Sequence, residues 1–171
     1  MTKTVDAQKI RVRKADFEND NDGNNIVRLL NEYSQLPVIC GKPLPDDVQR
    51  NIVPGLASHP TAVAWLAFCG EENGTETEAV GVLVAIGGFS TFLAKPTLNV
   101  HDACVTPAYQ SKGVGTRLFR AAEQHAVQTG CAKLTLEVRR DNPGARRLYK
   151  KLGYARDHEE DETFFWEKKL V

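Results

Sequence analysis

Residues 105–115 read VTPAYQSKGVG, and this stretch decides the fold because it joins an apolar strand pattern to a helix pattern. A glycine-bearing turn that opens a helix presents backbone N–H groups without intrahelical partners, at the positive end of the helix dipole. Such groups bind phosphate or pyrophosphate. Gly113 and Gly115 permit close approach of a ligand and a positive φ where one is required. We therefore predict an anion-binding turn followed by a helix.

On either side of this turn, the hydrophobic pattern divides the chain into seven strands and four helices. Period-two alternation predicts half-buried strands, continuous apolar runs predict fully buried ones, and spacings of three and four predict helices. The predicted strands are 8–14, 61–69, 79–88, 98–105, 133–138, one from 154 onward, and 163–168. The predicted helices are 26–33, 45–58, 114–130 and 142–152, and residues 89–97 are predicted to form a connecting loop.

The order of these elements predicts the fold class. Strands paired antiparallel, followed by a strand–helix–strand–helix unit, imply one twisted sheet with helices on both faces. We predict an α+β fold, an α/β/α sandwich whose mixed, mostly antiparallel sheet has about seven strands and about four flanking helices. Asp22–Asn25 are the expected caps of the first helix. Pro54 is expected to kink the second helix or close it early.

Composition and charge fit one soluble domain spanning residues 1–171. Lys plus Arg and Asp plus Glu each number 22, and a formal net charge of zero argues against a nucleic-acid partner. No run approaches the roughly 18 apolar residues of a membrane span, and the start has no apolar signal segment. The four cysteines are scattered, so we expect free thiols, no metal, no membrane contact and a cytoplasmic location.

The glycine-bearing turn is by itself a weak signal. A structural turn with helix-capping glycines explains Q-x-x-G-x-G at residues 110–115 equally well. The stretch lacks the G-x-G-x-x-G fingerprint of dinucleotide-binding folds, and it lacks the G-x-x-x-x-G-K-[ST] of a P-loop. A second motif is therefore needed to identify the ligand.

Residues 142–154, which read NPGARRLYKKLGY, supply that second motif. They resemble the signature N-x-x-A-x-x-L-Y-x-x-x-G-F/Y of the GNAT superfamily of acyl-CoA-dependent N-acetyltransferases. Residues 105–115 resemble the family's other signature, V-x-P-x-Y-R/Q-x-x-G-x-G/A, and one helix and one strand separate the two. The resemblance implies acetyl-CoA as co-substrate, held in an opening where parallel strands 4 and 5 splay apart.

The resemblance also implies roles for individual residues. Main-chain groups of residues 103–105 would hydrogen-bond the pantetheine arm like an added strand. The amides of residues 111–116 would hold the pyrophosphate, with Lys112 adding charge at the rim. Asn142 would contact the pantetheine, and Tyr149 would point at the sulfur. The implied cofactor-binding set is Ala103, Cys104, Val105, Gln110, Ser111, Lys112, Gly113, Val114, Gly115, Thr116, Asn142 and Tyr149.

Tyr149 is the predicted catalytic acid. Asn142 and Tyr149 are seven residues apart, so they lie on one face of a helix, two turns apart. A tyrosine with an ordinary pKa of about 10 can protonate a leaving thiolate of pKa about 8–9. The alternative is that Leu148 and Tyr149 only anchor the short helix to the sheet.

His101 and Asp102 are the predicted catalytic groups that would remove the amine proton. An alkylamine of pKa about 10 is mostly protonated at neutral pH, whereas only the neutral amine attacks a thioester. His101 titrates in the right range, and Asp102 would orient it or attract a cationic acceptor. Neighbours on a strand face opposite sides, so both reach the cleft only if a bulge intervenes. The alternative for each is a satisfied polar side chain within the sheet.

Phe89, Phe92 and Tyr33 are the predicted substrate-binding residues. The stretch GFSTF at residues 88–92 resembles the polyamine and thialysine acetyltransferase branch of the family, and aromatic faces suit cations. Tyr33 would form another wall of an acceptor pocket, because the first helix commonly covers the acceptor in this family. Ordinary hairpin packing explains the two phenylalanines equally well.

The resemblance implies an enzyme that transfers the acetyl group of acetyl-CoA to a primary amine by direct attack in a ternary complex. A small-molecule amine is the favoured acceptor. Two alternatives stay open, namely acetylation of a protein or peptide, and a non-catalytic acyl-CoA-binding module. The resemblance is also compatible with a homodimer.

Overall fold

The structure is a computed structural model that describes residues 10–37, 39–70 and 79–155. Its strands are β1 (Ile10–Lys14), β2 (Ala62–Cys69), β3 (Ala79–Ser90), β4 (Lys95–Val105) and β5 (Lys133–Leu136). Its helices are α1 (Asp20–Ser34), α2 (Asp46–Ser58), α3 (Val114–Gln128) and α4 (Pro143–Lys151), and a 3-10 turn (Pro107–Tyr109) precedes α3. Of the last two predicted strands only residues 154 and 155 are described, and the rest lies outside the described residues.

The described strands form one mixed sheet in the order β1-β2-β3-β4-β5. The first four pair antiparallel with their neighbours, whereas β4 and β5 are parallel. α3 forms the crossover that parallel neighbours require. The predicted fold class, a mixed and mostly antiparallel sheet flanked by four helices, is confirmed.

Helices cover both faces of the sheet and divide the core in two. On one face, Phe119 of α3 packs into a cluster with Leu83. On the other face, Leu29 of α1 packs into a cluster with Val84, and α2 closes that cluster through Ile52. Apolar burial on both faces is what stabilises a sheet sandwiched between helix layers. None of the helices in the described part of the chain combines the length and apolar composition needed to span a bilayer.

α1 begins earlier than the hydrophobic pattern predicted. Asn19 is its N-cap, and the Oδ1 atom accepts a hydrogen bond from the Asp22 N–H at 3.1 Å. Asp22 itself is buried in an ion pair with Arg13, so it is not a cap. The prediction that residues 22–25 cap the helix was wrong because a polar first turn gives no apolar periodicity to mark its start.

α2 runs through Pro54 to Ser58, which is its predicted end, so of the two effects expected of this proline early closure does not occur. Proline has no N–H and leaves the carbonyl four residues earlier, at Arg50, without its intrahelical donor. α2 has no fully buried residue, and solvent is therefore available to that carbonyl.

The β3–β4 hairpin is longer than predicted. Phe89 pairs with Pro96 and Ser90 pairs with Lys95, which leaves only residues 91–94 as the turn. The prediction of a connecting loop over residues 89–97 was therefore wrong. Glycine and proline next to the turn resemble loop composition, but antiparallel pairing with the adjacent strand extends the ladder through them.

Candidate active site

β4 and β5 pair over only four residues before they separate. The parallel register runs from Thr97 opposite Lys133 to Val100 opposite Leu136. β5 ends there, whereas β4 continues to Val105 with β3 on its other side. Within the described ranges, no strand pairs with the edge of residues 101–105 that faces away from β3. We call this opening the slot, and its geometry suits an extended ligand that adds like a strand.

His101 is the extra residue of a β-bulge in β4. Asp102 pairs with Val84 and Val100 pairs with Ala85, so no residue of β3 stands opposite His101. Later side chains of β4 therefore point to the faces opposite to those that strict alternation along the sequence would give them. The bulge that the sequence analysis required near His101 is therefore present.

The bulge decides which helix layer each site residue meets. Val100 packs in the α3 layer before the bulge, and Ala103 packs there after it. Asp102 and Cys104 turn instead toward α1 and α2, where Asp102 lines a cavity. If His101 were instead paired as a regular strand residue, alternation would point Asp102 to the same side as Val100.

The turn between β4 and α3 contains two residues in the left-handed region, Ser111 with φ 60° and Gly113 with φ 83°. Gly113 is the N-cap of α3, and no side chain caps this helix. The N–H groups of the first turn therefore have no intrahelical acceptor. Gln110 Nε2 donates to the Val105 carbonyl at 3.0 Å, which fixes the entry to the turn. The local geometry is that of a helix N-terminus open to an anion.

Gly115 serves close packing in this structure rather than backbone freedom. Its φ is not positive, unlike that of Gly113. A Cβ at Gly115 would lie 3.0 Å from Cδ2 of Leu148, so α4 approaches the start of α3 closely. Lys112 lies at the rim of the turn, with Nζ 5.5 Å from the centroid of the Tyr109 ring.

α4 begins at Asn142 and packs against α3 through Tyr149. Asn142 is the N-cap of α4, and its Oδ1 accepts a hydrogen bond from the Ala145 N–H at 3.0 Å. The Tyr149 ring packs against Phe119 of α3 with centroids 5.1 Å apart. Burial, with a smaller effect from nearby Tyr33, raises the pKa of Tyr149 to about 12.

Tyr33, Asp102 and Cys104 lie close enough to affect one another's ionisation. Burial raises the pKa of Asp102, and the nearby His101 opposes this effect. Burial and then the Asp102 carboxylate raise the pKa of Tyr33. Burial and Asp102 also raise the pKa of Cys104 to about 12, so this thiol stays protonated at neutral pH. The Asp102 carboxylate raises the pKa of Tyr33, and Tyr33 in turn raises the pKa of Tyr149, so Tyr33 lies near both residues.

A cavity of about 520 Å³ lies between α1, α2 and the sheet, a size typical of small-molecule sites. We call it the α2 cavity. Its polar lining residues in the described part of the chain are Tyr33, Ser34, Cys40, His59 and Asp102. The remaining lining residues are Leu30, Ile39, Leu44, Val48, Ile52, Gly55, Leu56, Val84 and Ile86.

The structure brings some of the predicted acceptor residues together and separates others. Tyr33 and Asp102 both line the α2 cavity, whereas His101 is exposed. Phe89 and Phe92, at 65% and 100% exposure, lie at the β3–β4 hairpin and do not line the α2 cavity.

The wall that α2 contributes to the α2 cavity was not predicted from the sequence. Val48, Ile52 and Leu56 follow one another at intervals of four, so they share a helix face. That spacing was the available signal, but it predicts an apolar face without saying what the face meets. Among the described residues, no group of three or more His, Cys, Asp and Glu side chains converges into a metal site.

Comparison with known proteins identifies the family to which this chain belongs. Residues 26–154 match the family described as Acetyltransferase (GNAT) family, and the chain therefore belongs to that family.

Curated relatives include enzymes with different acceptors in their names. The chain is 38% identical over 87 residues to the uncharacterized N-acetyltransferase YhfO of Bacillus subtilis, covering 51% of this chain and 56% of that one. It is 40% identical over 78 residues to the N-alpha-acetyltransferase RimI of Mycobacterium tuberculosis, covering 44% and 48%. These two matches span about half the length of each relative. The mouse thialysine N-epsilon-acetyltransferase is 26% identical over 157 residues, covering 89% and 87%.

Solved structures confirm the fold over most of the chain. An aminoglycoside acetyltransferase from a soil metagenome, in complex with sisomicin, has a TM-score of 0.72 at 15% identity, covering 94% of this chain and 98% of that one. A ribosomal-protein-alanine N-acetyltransferase from Brucella melitensis has a TM-score of 0.64 at 19% identity, covering 91% and 99%. At these identities the likeness is one of fold alone.

The residues around the slot fit acetyl-CoA on their own chemistry. The open edge of β4 offers backbone groups to an extended, amide-containing arm. The uncapped start of α3 offers N–H groups to a diphosphate. The hydroxyl Oγ1 of Thr106, which lies between these two features in the chain, is buried without a hydrogen-bond partner in the described part of the chain.

Proposed function

We propose that this protein is an N-acetyltransferase that moves the acetyl group of acetyl-CoA to the primary amine of a small molecule, in a ternary complex. The observation that carries the proposal is the separation of β4 from β5 directly before the uncapped start of α3. Acetyl-CoA would supply the activated thioester. Backbone groups of residues 103–105 would bind its extended arm, and the first-turn amides of α3 would bind its diphosphate.

Asp102 is the residue that we propose to receive the amine proton, directly or through water. Asp102 lines the α2 cavity, whereas His101 is exposed at the bulge. Burial raises the pKa of Asp102, and a carboxylate with a raised pKa is a stronger base than an ordinary one. The neutral amine nitrogen would then bond to the acetyl carbon while the carbon–sulfur bond breaks.

Tyr149 is the residue that we propose to stabilise the departing sulfur. Its pKa, raised to about 12, keeps the phenol protonated, so an O–H donor is present throughout the neutral range. Because the pKa of Tyr149 is higher than the pKa of about 8–9 of the departing thiol, full transfer of the phenol proton to the sulfur is unfavourable. Hydrogen-bond donation to the developing thiolate is therefore its main contribution. A backbone N–H near Val105 would polarise the acetyl carbonyl.

Acetyl-CoA binding and turnover test the proposal together. We expect millimolar acetyl-CoA to raise the Tm of the full chain, because a ligand that binds only the native state stabilises it. We expect release of free thiol when a primary amine is added. Tyr149→Phe should lower kcat by roughly 10²–10³-fold, since it removes one donor to developing charge, while KM for acetyl-CoA changes little.

The result that would overturn the proposal is the absence of both a Tm shift and thiol release at millimolar acetyl-CoA. Equal losses of kcat and acetyl-CoA affinity in Tyr149→Phe would limit this residue to binding. Phe119 packs against the Tyr149 ring, so Phe119→Leu is the control for disturbed packing. Its KM and kcat are measured beside those of Tyr149→Phe.

A peptide or protein amine is the second candidate acceptor. The relative RimI is named as an N-alpha-acetyltransferase, which supports this alternative. An alanine-led peptide in the same thiol-release assay distinguishes the two acceptors.

A further inference from the structure

The walls of the α2 cavity are predominantly aliphatic. One wall is the face of α2 that carries Val48, Ile52 and Leu56. The opposite wall is the sheet, where Val84 and Ile86 point to the same side of β3. A ligand in this cavity exchanges water for hydrocarbon over most of its surface, which favours an apolar body.

The cavity offers one anionic group. Asp102 is the single carboxylate among the described residues that line it, and no lysine or arginine lines it in the same ranges. Asp102 pairs with Val84 across β3 and β4, at the bulge beside the slot. An ammonium group of the acceptor is therefore drawn to the end of the cavity at which acetyl transfer would occur.

The aliphatic walls discriminate against acceptors with further polar groups. A second ammonium group held against Ile52, Leu56 and Ile86 would lose part of its hydration, and among the described residues no carboxylate other than Asp102 lines the cavity to compensate it. Peptide groups or sugar hydroxyls would lose hydrogen bonds to water there, and aliphatic side chains cannot replace them. Specificity of this kind comes from the penalty on the wrong partner as much as from attraction to the right one.

We infer that the acceptor is a primary monoamine with an apolar aliphatic or aromatic body, bound with its amino group at Asp102 and its body against the α2 wall. This inference rests on the proposed acetyltransferase function and narrows its substrate class. It differs from the acceptors that the named relatives suggest, because a thialysine or an aminoglycoside carries additional charged groups.

Hexylamine and 1,6-diaminohexane form a matched pair that tests the inference, since they differ only in the second amino group. We expect kcat/KM for hexylamine to exceed that for 1,6-diaminohexane by roughly 100-fold, because the second ammonium group is not compensated. Phenethylamine should be used comparably with hexylamine. An alanine-led peptide and spermidine should be poor acceptors in the same assay.

Val48→Asp supplies the missing counter-charge at a position that tolerates it. Val48 is 40% exposed in the first turn of α2, where a carboxylate also interacts favourably with the helix dipole. We expect the preference for hexylamine over 1,6-diaminohexane to fall at least tenfold in this variant. Val127→Asp, on an exposed valine of α3 outside the α2 cavity, should leave the preference unchanged.

The outcomes separate the inference from the proposed function. A Tm shift with acetyl-CoA, together with better turnover of the diamine, spermidine or the peptide than of hexylamine, overturns the inference and leaves the acetyltransferase function standing. An unchanged preference in Val48→Asp overturns the placement of the amine body against α2. Absence of acetyl-CoA binding and of thiol release with every amine overturns both.

Discussion

Asp22 in the first turn of α1 and Asp102 in β4 are two carboxylates whose surroundings shift their pKa in opposite directions. Asp22 is 1% exposed, and both of its oxygens accept hydrogen bonds of 2.6 Å from Arg13. The Asp16 N–H also donates to it at 2.8 Å. The hydrogen bonds from Arg13 lower the pKa of Asp22, whereas burial raises the pKa of Asp102. Asp22 therefore stabilises the fold when ionised, whereas Asp102 holds a charge at some cost.

Asp22→Asn is expected to destabilise the protein by about 3 kcal/mol at pH 7, the lower end for breaking a buried ion pair, because Arg13 retains some solvent contact. Asp20→Asn, an exposed residue of the same helical turn, is the matched control and should stay within about 0.5 kcal/mol. Urea unfolding measures both. The advantage of wild type over Asp22→Asn is full above the ordinary carboxyl pKa and is lost as pH falls through the lowered folded pKa. Equal losses in the two variants would contradict this account.

Asp102→Asn is expected to act in the opposite sense on stability. The pKa of Asp102 is higher in the folded protein than its ordinary value. The contribution of this group to the free energy of unfolding therefore declines as pH rises from the ordinary carboxyl pKa through the folded pKa. The variant should therefore have a Tm at least equal to that of wild type at pH 7, and any excess should shrink toward pH 4. Its kcat/KM at pH 7 should fall by roughly 100-fold with the loss of the base. A lower Tm with unchanged kcat/KM would contradict both roles.

Among the elements, α4 shows how the residues of a sequence motif build a short helix. Asn142 caps the helix, Pro143 occupies its first position, and Gly153 follows its end with φ 89°. Each choice is the one that helix termini favour on conformational grounds. The motif at residues 142–154 thus in part specifies a short helix that holds Tyr149 against α3.

Asn142→Ser and Asn142→Ala separate the two roles of this residue. Serine retains a side-chain oxygen for the Ala145 N–H, so its stability should stay close to that of wild type, whereas alanine should lose about 1 kcal/mol. Both variants remove the amide N–H donor, so KM for acetyl-CoA should rise in both. Unfolding curves and acetyl-CoA titrations make the comparison. Wild-type affinity in the serine variant would show that Asn142 acts only as a cap.

The elements were largely predictable from local patterns, and the site was predictable only in part. Glycine at residue 113 and the run that follows it predicted the turn and α3, because a positive φ and an apolar stripe are local properties. The bulge at His101 has no such signal, since both His101 and Asp102 are polar and either alternation fits them. Phe89 and Phe92 appeared in the right sequence context, yet continued pairing of β3 with β4 carries them to the hairpin tip.

At the scale of the whole molecule, the candidate site lies where the two helix layers meet around the edge of β4. α3 and α4 supply the uncapped helix start and Tyr149, whereas α1 and α2 supply Tyr33 and walls of the α2 cavity. The sheet between them carries Asp102. This arrangement depends on long-range packing. The slot and its adjoining turn were therefore predicted with the help of a family resemblance, and the wall from α2 was not predicted.

The bulge in β4 has a genetic consequence. Because only one residue is needed here to continue the ladder, loss of the codon for His101 would remove the bulge and leave Asp102 and every later β4 side chain on its present face. Loss of the codon for Asp102 would instead bring His101 into the ladder opposite Val84, so an imidazole would stand where the carboxylate now lines the α2 cavity. Diversification of acceptor use at this strand would therefore proceed through in-frame insertions and deletions as readily as through exchange of one amino acid for another.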